Sequence, residues 1–242
     1  MGELFFTVLY QPLYNLLVVI YNVMPWGGLG LAIIALTAIV KIVLLPLTFK
    51  SLKAQKELQE IQPKVAEIKE TYKEDKERLA KELMAVYKTH NVNPFASCLP
   101  TVVQLFVFIA LYRALMAGIQ TIDGSMLYAF VSNPGSMGHV FLGIDLAVVS
   151  IPLAVLAAAA QYLQARQMIT RRPPKAVRAQ SGALDEDMSA TMNKMMLTVL
   201  PVMMLVIGAT TLAGGLTLYI LVSTLFTYAL YAMFLHPKPK GE

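Results

Sequence analysis

Apolar residues run along this chain in long blocks separated by short polar stretches, and block length is the first clue to its architecture. A helix needs about 20 mostly apolar residues to cross the hydrocarbon of a bilayer. Five blocks qualify: 28–49, 95–117, 140–163, 195–212 and 216–235. Each is expected to be helical, because a helix satisfies its own backbone groups in lipid. Only Ala213, Gly214 and Gly215 separate the last two, which predicts a tight hairpin. A further apolar segment, Leu4–Met24, is interrupted by Gln11, Pro12, Asn15 and Asn22. Tyr10, Tyr14, Tyr21 and Trp26 suit interfacial depth, so residues 1–27 read as a helix lying along the outer interface and beginning near Pro12. A sixth span is the alternative. The segment lacks the Lys/Arg-rich start of a signal peptide, so a cleaved leader is not expected.

Segment 50–94 has a different rhythm. Leu52, Leu58, Ile61, Val65, Ile68 and Tyr72 recur at helical spacing among charges, and Leu79, Leu83, Val86 and Tyr87 do so again. Glu74-Asp75 between them offers a turn and a helix N-cap. The pattern predicts an antiparallel helical hairpin, which Asn93-Pro94 ends as the next span begins. The loop 164–194 carries Arg171-Arg172-Pro173-Pro174 and the acidic run Asp185-Glu186-Asp187, with basic residues placed to meet anionic headgroups. A short outer loop, 118–139, and a tail, 236–242, complete the chain.

Composition supports a lipid-facing exterior. Charged residues make up 14% and apolar residues 57%, against about 25% charged in soluble domains. The lone cysteine, Cys98, excludes an internal disulfide and a cysteine-based zinc cluster and reads as a small packing residue. Of the 20 Lys and Arg residues, 18 fall in 50–94, 164–194 and the tail, and none in 1–27 or 118–139. Basic loops stay in the cytoplasm. The N-terminus is therefore expected outside and the C-terminus in the cytoplasm. Basic residues sorted by membrane side also remove the main support for nucleic-acid binding. The fold class that follows is an all-α integral membrane protein: five transmembrane helices, a cytoplasmic helical hairpin and an N-terminal interfacial helix.

No catalytic machinery stands out. His90, His139 and His236 fall in loops or at membrane edges, no span holds a Ser–His or carboxylate pair, and nucleotide and metalloprotease motifs are missing. Neither an enzyme, nor a metal site, nor a cofactor is expected. The residue that does stand out is Lys41, about 12 Å from the cytoplasmic end of its span. A charge at mid-bilayer costs about 2.5–3.5 kcal/mol even on insertion scales, a cost that a water-filled cavity would relieve. Snorkelling to the cytoplasmic interface is the competing reading. Thr37, Lys41 and Thr48 share a helical face. Thr101 and Gln104 of the second span, Ser150 and Gln161 of the third, and Thr217, Thr224 and Tyr228 of the fifth form similar stripes. Turned inward, they would line a hydrophilic cavity dominated by one cation, although a membrane Thr often only bonds its own backbone. Arg113 lies about 180° around its helix from Gln104 and reads as an outward snorkel. Met195, Met196, Met203 and Met204 give the fourth span a flexible apolar surface suited to many partners, or equally to gap-filling.

These residues resemble the YidC membrane protein insertase family, in its short form without a large outer domain. The likeness runs from about Trp26 to Phe234. It is carried by KIVLLPL from Lys41 to Leu47, Gln62-Pro63-Lys64, NPFASCLPTVVQ from Asn93 to Gln104, Leu200-Pro201-Val202, and GGLTLYILVS from Gly214 to Ser223. The resemblance implies a groove open to the cytoplasm and to lipid, closed on the outside, through which hydrophobic segments of nascent proteins enter the bilayer without ATP. It implies that the cation of the first core span attracts polar parts of the passenger. That position is usually arginine in the family; Lys41 keeps the charge and loses the bidentate fork. The second and fourth spans would guide the apolar segment, here through Phe108, Met195, Met196, Met203 and Met204. Partners implied are nascent membrane proteins and lipids, with a ribosome or protein translocase in addition, and the location implied is the cytoplasmic membrane of a prokaryote. Ala213 and Thr224 replace a common proline and asparagine, and the tail is too short for the basic ribosome-binding extension of some members. A small-anion transporter or channel with Lys41 as its binding site is the alternative function, and a non-inserting assembly factor is a third.

Overall fold

The computed structural model describes residues 2–24, 28–72, 74–90, 92–93, 99–120, 122–169 and 195–235. Trp26, Cys98, the charged runs of 170–194 and the tail 236–242 lie outside the described residues. The chain divides into two compact units. One comprises Met1–Val43, Leu105–Met168 and Met196–Glu242; the other comprises Leu44–Gln104 and Ile169–Met195.

In the first unit, α1 (Gly2–Phe5) continues through a widened π-helical turn, Phe6–Tyr10, into α2 (Gln11–Val23). The helix thus begins some ten residues ahead of Pro12, where the sequence suggested its start. Pro12 lacks an N–H and crowds the preceding turn, and the wide turn directly before it accommodates both defects. Next, α3 (Gly28–Val43) packs against α2 and buries Leu29, Ala32, Ile33, Leu36 and Thr37, a stripe at helical spacing. The expected first span, 28–49, is interrupted at Leu44. Pro46 follows two residues later, removing a backbone donor and clashing with the preceding turn.

The remaining long helices of this unit expose large apolar residues. α6 (Leu99–Gln120), whose first residues belong to the other unit, buries Val107, Ala110, Leu111, Ala114 and Leu115 and exposes Leu105, Phe106, Ile109 and Tyr112. A helix with apolar residues on its exposed face suits a lipid solvent. Arg113 is exposed. α7 (Ile151–Ile169) presents Ala154, Ala157 and Ala160 inward. α8 (Leu200–Thr210), preceded by a second π-helical turn at Met195–Val199, comes close enough that a Cβ on Gly208 would press on Ala154. Small residues allow such approach where no hydrophobic effect operates between helices. α9 (Gly214–Leu235) packs on α3. Among the described residues, Glu3–Val23, Leu99–Ile119 and Gly214–Met233 are each long and apolar enough to cross a bilayer, and α3 with the start of the following helix makes a fourth candidate.

A loop cap joins these helices at one end. The sequence pattern predicts a span over 140–163, but the chain is helical only from Ile151. Residues before it form a hairpin of β1 (Val140–Phe141) and β2 (Ile144–Asp145), antiparallel, with Phe141 opposite Ile144. Turn chemistry defeats the apolar run here. Leu142 and Gly143 both adopt positive φ, 50° and 78°, as a two-residue type I′ turn requires. The Asp145 carboxylate accepts from Ala147 N at 2.8 Å, tying the backbone into a non-helical loop. That bond, seconded by His139 Nδ1 at 2.7 Å, holds the Asp145 carboxyl below the usual carboxylate range. Gly30 of α3 is a requirement of this packing, because a Cβ there would overlap the Phe141 ring. Leu142 is the strained element: 86% exposed and left-handed without the freedom of glycine. Leu142→Gly is expected to stabilise the protein by about 1 kcal/mol, read as a melting temperature a few degrees higher in detergent.

Backbone bonds fasten the cap to three helices. Leu29 N donates to Gly138 O (2.9 Å), Gly214 N to Val148 O (2.7 Å) and Gly215 N to Leu146 O (2.9 Å), and Ala154 N closes the first turn of α7 on Ser150 O. α2 is stapled to the same loop by side chains. Buried Asn15 donates to Gln11 O (2.8 Å) and Met126 O (3.0 Å), and its Oδ1 accepts from Tyr128 N (2.7 Å). Asn22 donates to Ser132 O, and Tyr21 accepts at its hydroxyl from Gly138 N. The three polar interruptions of the first apolar segment, Gln11, Asn15 and Asn22, thus all hold the cap.

The second unit contains α4 (Leu45–Thr71) and α5 (Lys76–Thr89). Asp75 caps α5 by accepting from Arg78 N at 3.0 Å. Ile61, Val65 and Val92 form a small core with Leu58, Leu83, Val86 and Tyr87 packed on it. The apolar stripe of this segment is therefore largely consumed by its own seam. Lys64 Nζ meets His90 Nε2 at 3.0 Å across the pair.

Candidate functional site

α3 and α9 run parallel from the cap. Ile33 approaches Gly215 near the start of α9, and Lys41 reaches Thr227 further along it. Both Lys41 and Thr227 stand thirteen residues beyond their helix starts, about 20 Å at 1.5 Å per residue. Lys41 Nζ donates to Thr227 Oγ1 at 3.1 Å, and Thr227 Oγ1 donates to Ser223 O at 2.8 Å. Lys41 itself is half-buried. An ammonium with no acceptor of its own needs such partners in a low-dielectric setting.

The other polar residues singled out from the sequence sort by depth along the helices. Ser150, buried, precedes α7, and Thr217, fully buried, lies three residues into α9 and donates to Ala213 O at 3.3 Å. Both sit at the cap end. Thr37, Gln161, Thr224 and Tyr228 lie nine to fourteen residues along their helices, roughly level with Lys41. Thr37 is buried and donates to Ile33 O at 2.6 Å, so its hydroxyl is committed to its own helix. Thr224 is 8% exposed and Tyr228 half-buried. Gln161 Oε1 is buried without a hydrogen-bond partner among the described residues. Such an orphan acceptor is costly unless a donor reaches it. Thr101 and Gln104 belong to the second unit, Thr101 exposed and Gln104 half-buried.

Of the proposed apolar guide, Met195 and Met203 are exposed, Met196 is half-buried and Met204 is buried against the Gly208 side of α8. Phe108 packs its ring 6.3 Å from that of Tyr219. The four methionines therefore do not share one surface: Met204 fills the interior while Met195 and Met203 face outward.

Sequence reasoning missed two residues. Thr227 adjoins the chosen stripe, and its signal was the Ser223-to-Thr227 spacing of four, which lets one hydroxyl serve the backbone and a neighbour together. Gln167 is the second. With its amide oriented to satisfy both groups, Nε2 donates to Tyr228 O (3.3 Å) and Oε1 accepts from Ala232 N (2.9 Å). It ties α7 to the last turns of α9.

The helices, their apolar outward faces and the interior cation define a multi-pass α-helical membrane protein. Residues 19–239 match the family model described as 60Kd inner membrane protein, and the chain belongs to that family. It is similar to the "Membrane protein insertase YidC" of Pelobacter propionicus, 33% identical over 171 residues, which cover 70% of this chain and 31% of that protein. The proteins of the same name from Geotalea uraniireducens and Geobacter sulfurreducens are 46% and 44% identical over 115 residues, 48% of this chain and 21% of each of theirs. The chain thus matches about a third or less of the length of these relatives.

Proposed function

We propose that this protein is a membrane protein insertase, which moves hydrophobic segments of nascent proteins from the cytoplasm into the bilayer. The observation that carries the reading is the Lys41 ammonium, held within an apolar helix pair about 20 Å from the cap in a chain whose relatives bear the insertase name. The distribution of basic residues supports a cytoplasmic hairpin α4–α5 and C-terminus with the cap outside, by the positive-inside rule. Lys41, Gln161 and Tyr228 then line a wet groove open to the cytoplasm, while Thr37 and Thr224 are buried at the same level. Ser150 and Thr217 stand near its closed end. The groove shortens the hydrocarbon path a polar flank must cross. Transfer of a passenger helix of about 20 apolar residues into lipid makes the overall step downhill, at roughly 25 cal/mol per Å². No nucleotide is needed and no bond is made or broken. Phe108 and Met203 contribute the apolar surface along which the passenger leaves, and nascent chains, lipids and a ribosome or translocase are the partners.

Purified protein in liposomes tests this reading. A single-span substrate offered from outside the vesicle should become protease-protected at a rate well above that in protein-free vesicles, with no accompanying flux of small anions. Protection equal to that of empty vesicles would refute the insertase reading, and anion flux without protection would replace it with a transporter.

A further inference from the structure

The bond from Lys41 Nζ to Thr227 Oγ1 has a direction that constrains what each group can do. An ammonium only donates, so Thr227 must offer an oxygen lone pair. Its hydroxyl proton is already directed to Ser223 O at 2.8 Å. The three groups form an ordered chain: ammonium to hydroxyl to backbone carbonyl, 3.1 Å and then 2.8 Å. Committing the proton to Ser223 fixes the Thr227 rotamer and leaves the lone pair facing α3. Charge-assisted bonds of this kind are about twice as strong as neutral ones, yet a hydroxyl is a weaker acceptor for an ammonium than a carboxylate.

We propose that Thr227 is the positioning residue for Lys41, holding the ammonium until a carboxylate on the passenger takes the hydroxyl's place. The second half of this statement rests on the insertase reading; the first does not. The exchange swaps one acceptor for another without leaving the ammonium bare. After the carboxylate moves on, Thr227 receives the ammonium again. Thr227 is thus what makes a strong attraction reversible, and it selects for acidic over neutral flanks.

Thr227→Val removes the acceptor at nearly constant shape, and Thr227→Ser restores it. The first measurement needs no substrate: acylation of Lys41 by a membrane-permeant amine reagent, followed by mass spectrometry of the whole protein in liposomes. Acylation needs the electron pair of the neutral amine, so the ammonium must first give up the proton it shares with Thr227. Thr227→Val is expected to raise the labelling rate about tenfold, the scale of one charged hydrogen bond, with Thr227→Ser at the wild-type rate. Equal rates in wild type and Thr227→Val would overturn the proposal, whether or not the protein inserts anything. The second measurement compares matched single-span substrates with an acidic or an amide-neutralised flank. Thr227→Val is expected to slow the acidic substrate about tenfold and the neutral one less than twofold, with Thr227→Ser restoring the difference. Equal slowing of both substrates, or no rescue by serine, would show a structural role and also overturn it. Wild-type protein that inserts neither substrate would refute the insertase reading alone, leaving the labelling result to decide on Thr227.

Discussion

Lys41→Glu is expected to reduce insertion of a substrate with an acidic flank about a hundredfold, the largest loss from any single side chain in this protein. At an effective dielectric near 20, opposite charges about 4 Å apart attract by roughly 4 kcal/mol before desolvation. Desolvation consumes much of that, so Lys41→Ala should cost about tenfold. Glutamate turns the remaining attraction into repulsion and leaves an anion on an apolar helix without the Thr227 bond that the ammonium made. Lys41→Arg keeps the charge and should stay within about threefold of wild type, its fork reaching Thr227 less directly. Initial rates of protease protection in liposomes, with equal reconstituted protein, rank the four. Equal rates for Ala, Arg and Glu would remove the amine from the mechanism.

Asn15→Leu is expected to cost about 2–4 kcal/mol of stability, the largest effect away from Lys41. The side chain is buried at 2% exposure and makes three hydrogen bonds, two to the cap loop. Leucine leaves Tyr128 N–H without its acceptor, at a cost of about 1–3 kcal/mol, and removes the donor to Met126 O besides. Gln11 Nε2 still donates to Met126 O at 3.3 Å, which limits the damage there. Thermal unfolding in detergent and proteolysis of residues 122–135 report the change. The exposed Asn22, with one bond to Ser132 O, should cost under 1 kcal/mol on the same substitution. Equal effects at both positions would show that the cap is held by packing rather than by Asn15.

Much of this architecture is legible from apolar block length, because lipid forces every crossing segment to be a long helix. The hairpin seam of Ile61, Val65, Leu83 and Val86 is legible for a different reason: local periodicity decides it without long-range packing. Besides the early start of the first helix, two boundaries are not, and in both of these backbone chemistry outweighs hydrophobicity. Val140, Phe141, Ile144 and Leu146 satisfy a span window, yet the left-handed turn at Leu142-Gly143 and the Asp145 loop bond divert them. Pro46 breaks the first core span within an apolar run that gives no warning by hydropathy alone. Lys41 is conspicuous because a cation among apolar neighbours is costly. Thr227 is not, since its role depends on the relative rotation of two parallel helices, which no spacing along one chain encodes.

The cap grips α3 and α9 through main-chain amides and carbonyls, whereas Lys41–Thr227 and Gln167 join helices further down through single side chains. Pivoting is therefore easiest about the cap end. A tilt of about 5° there swings the lysine level, about 20 Å away, by nearly 2 Å, enough to open a hydrogen bond while the anchorage stays shut. Because a Cβ on Gly214 would press on the backbone of Asp145, Leu146 and Val148, a side chain added there would wedge the anchorage open and move the hinge.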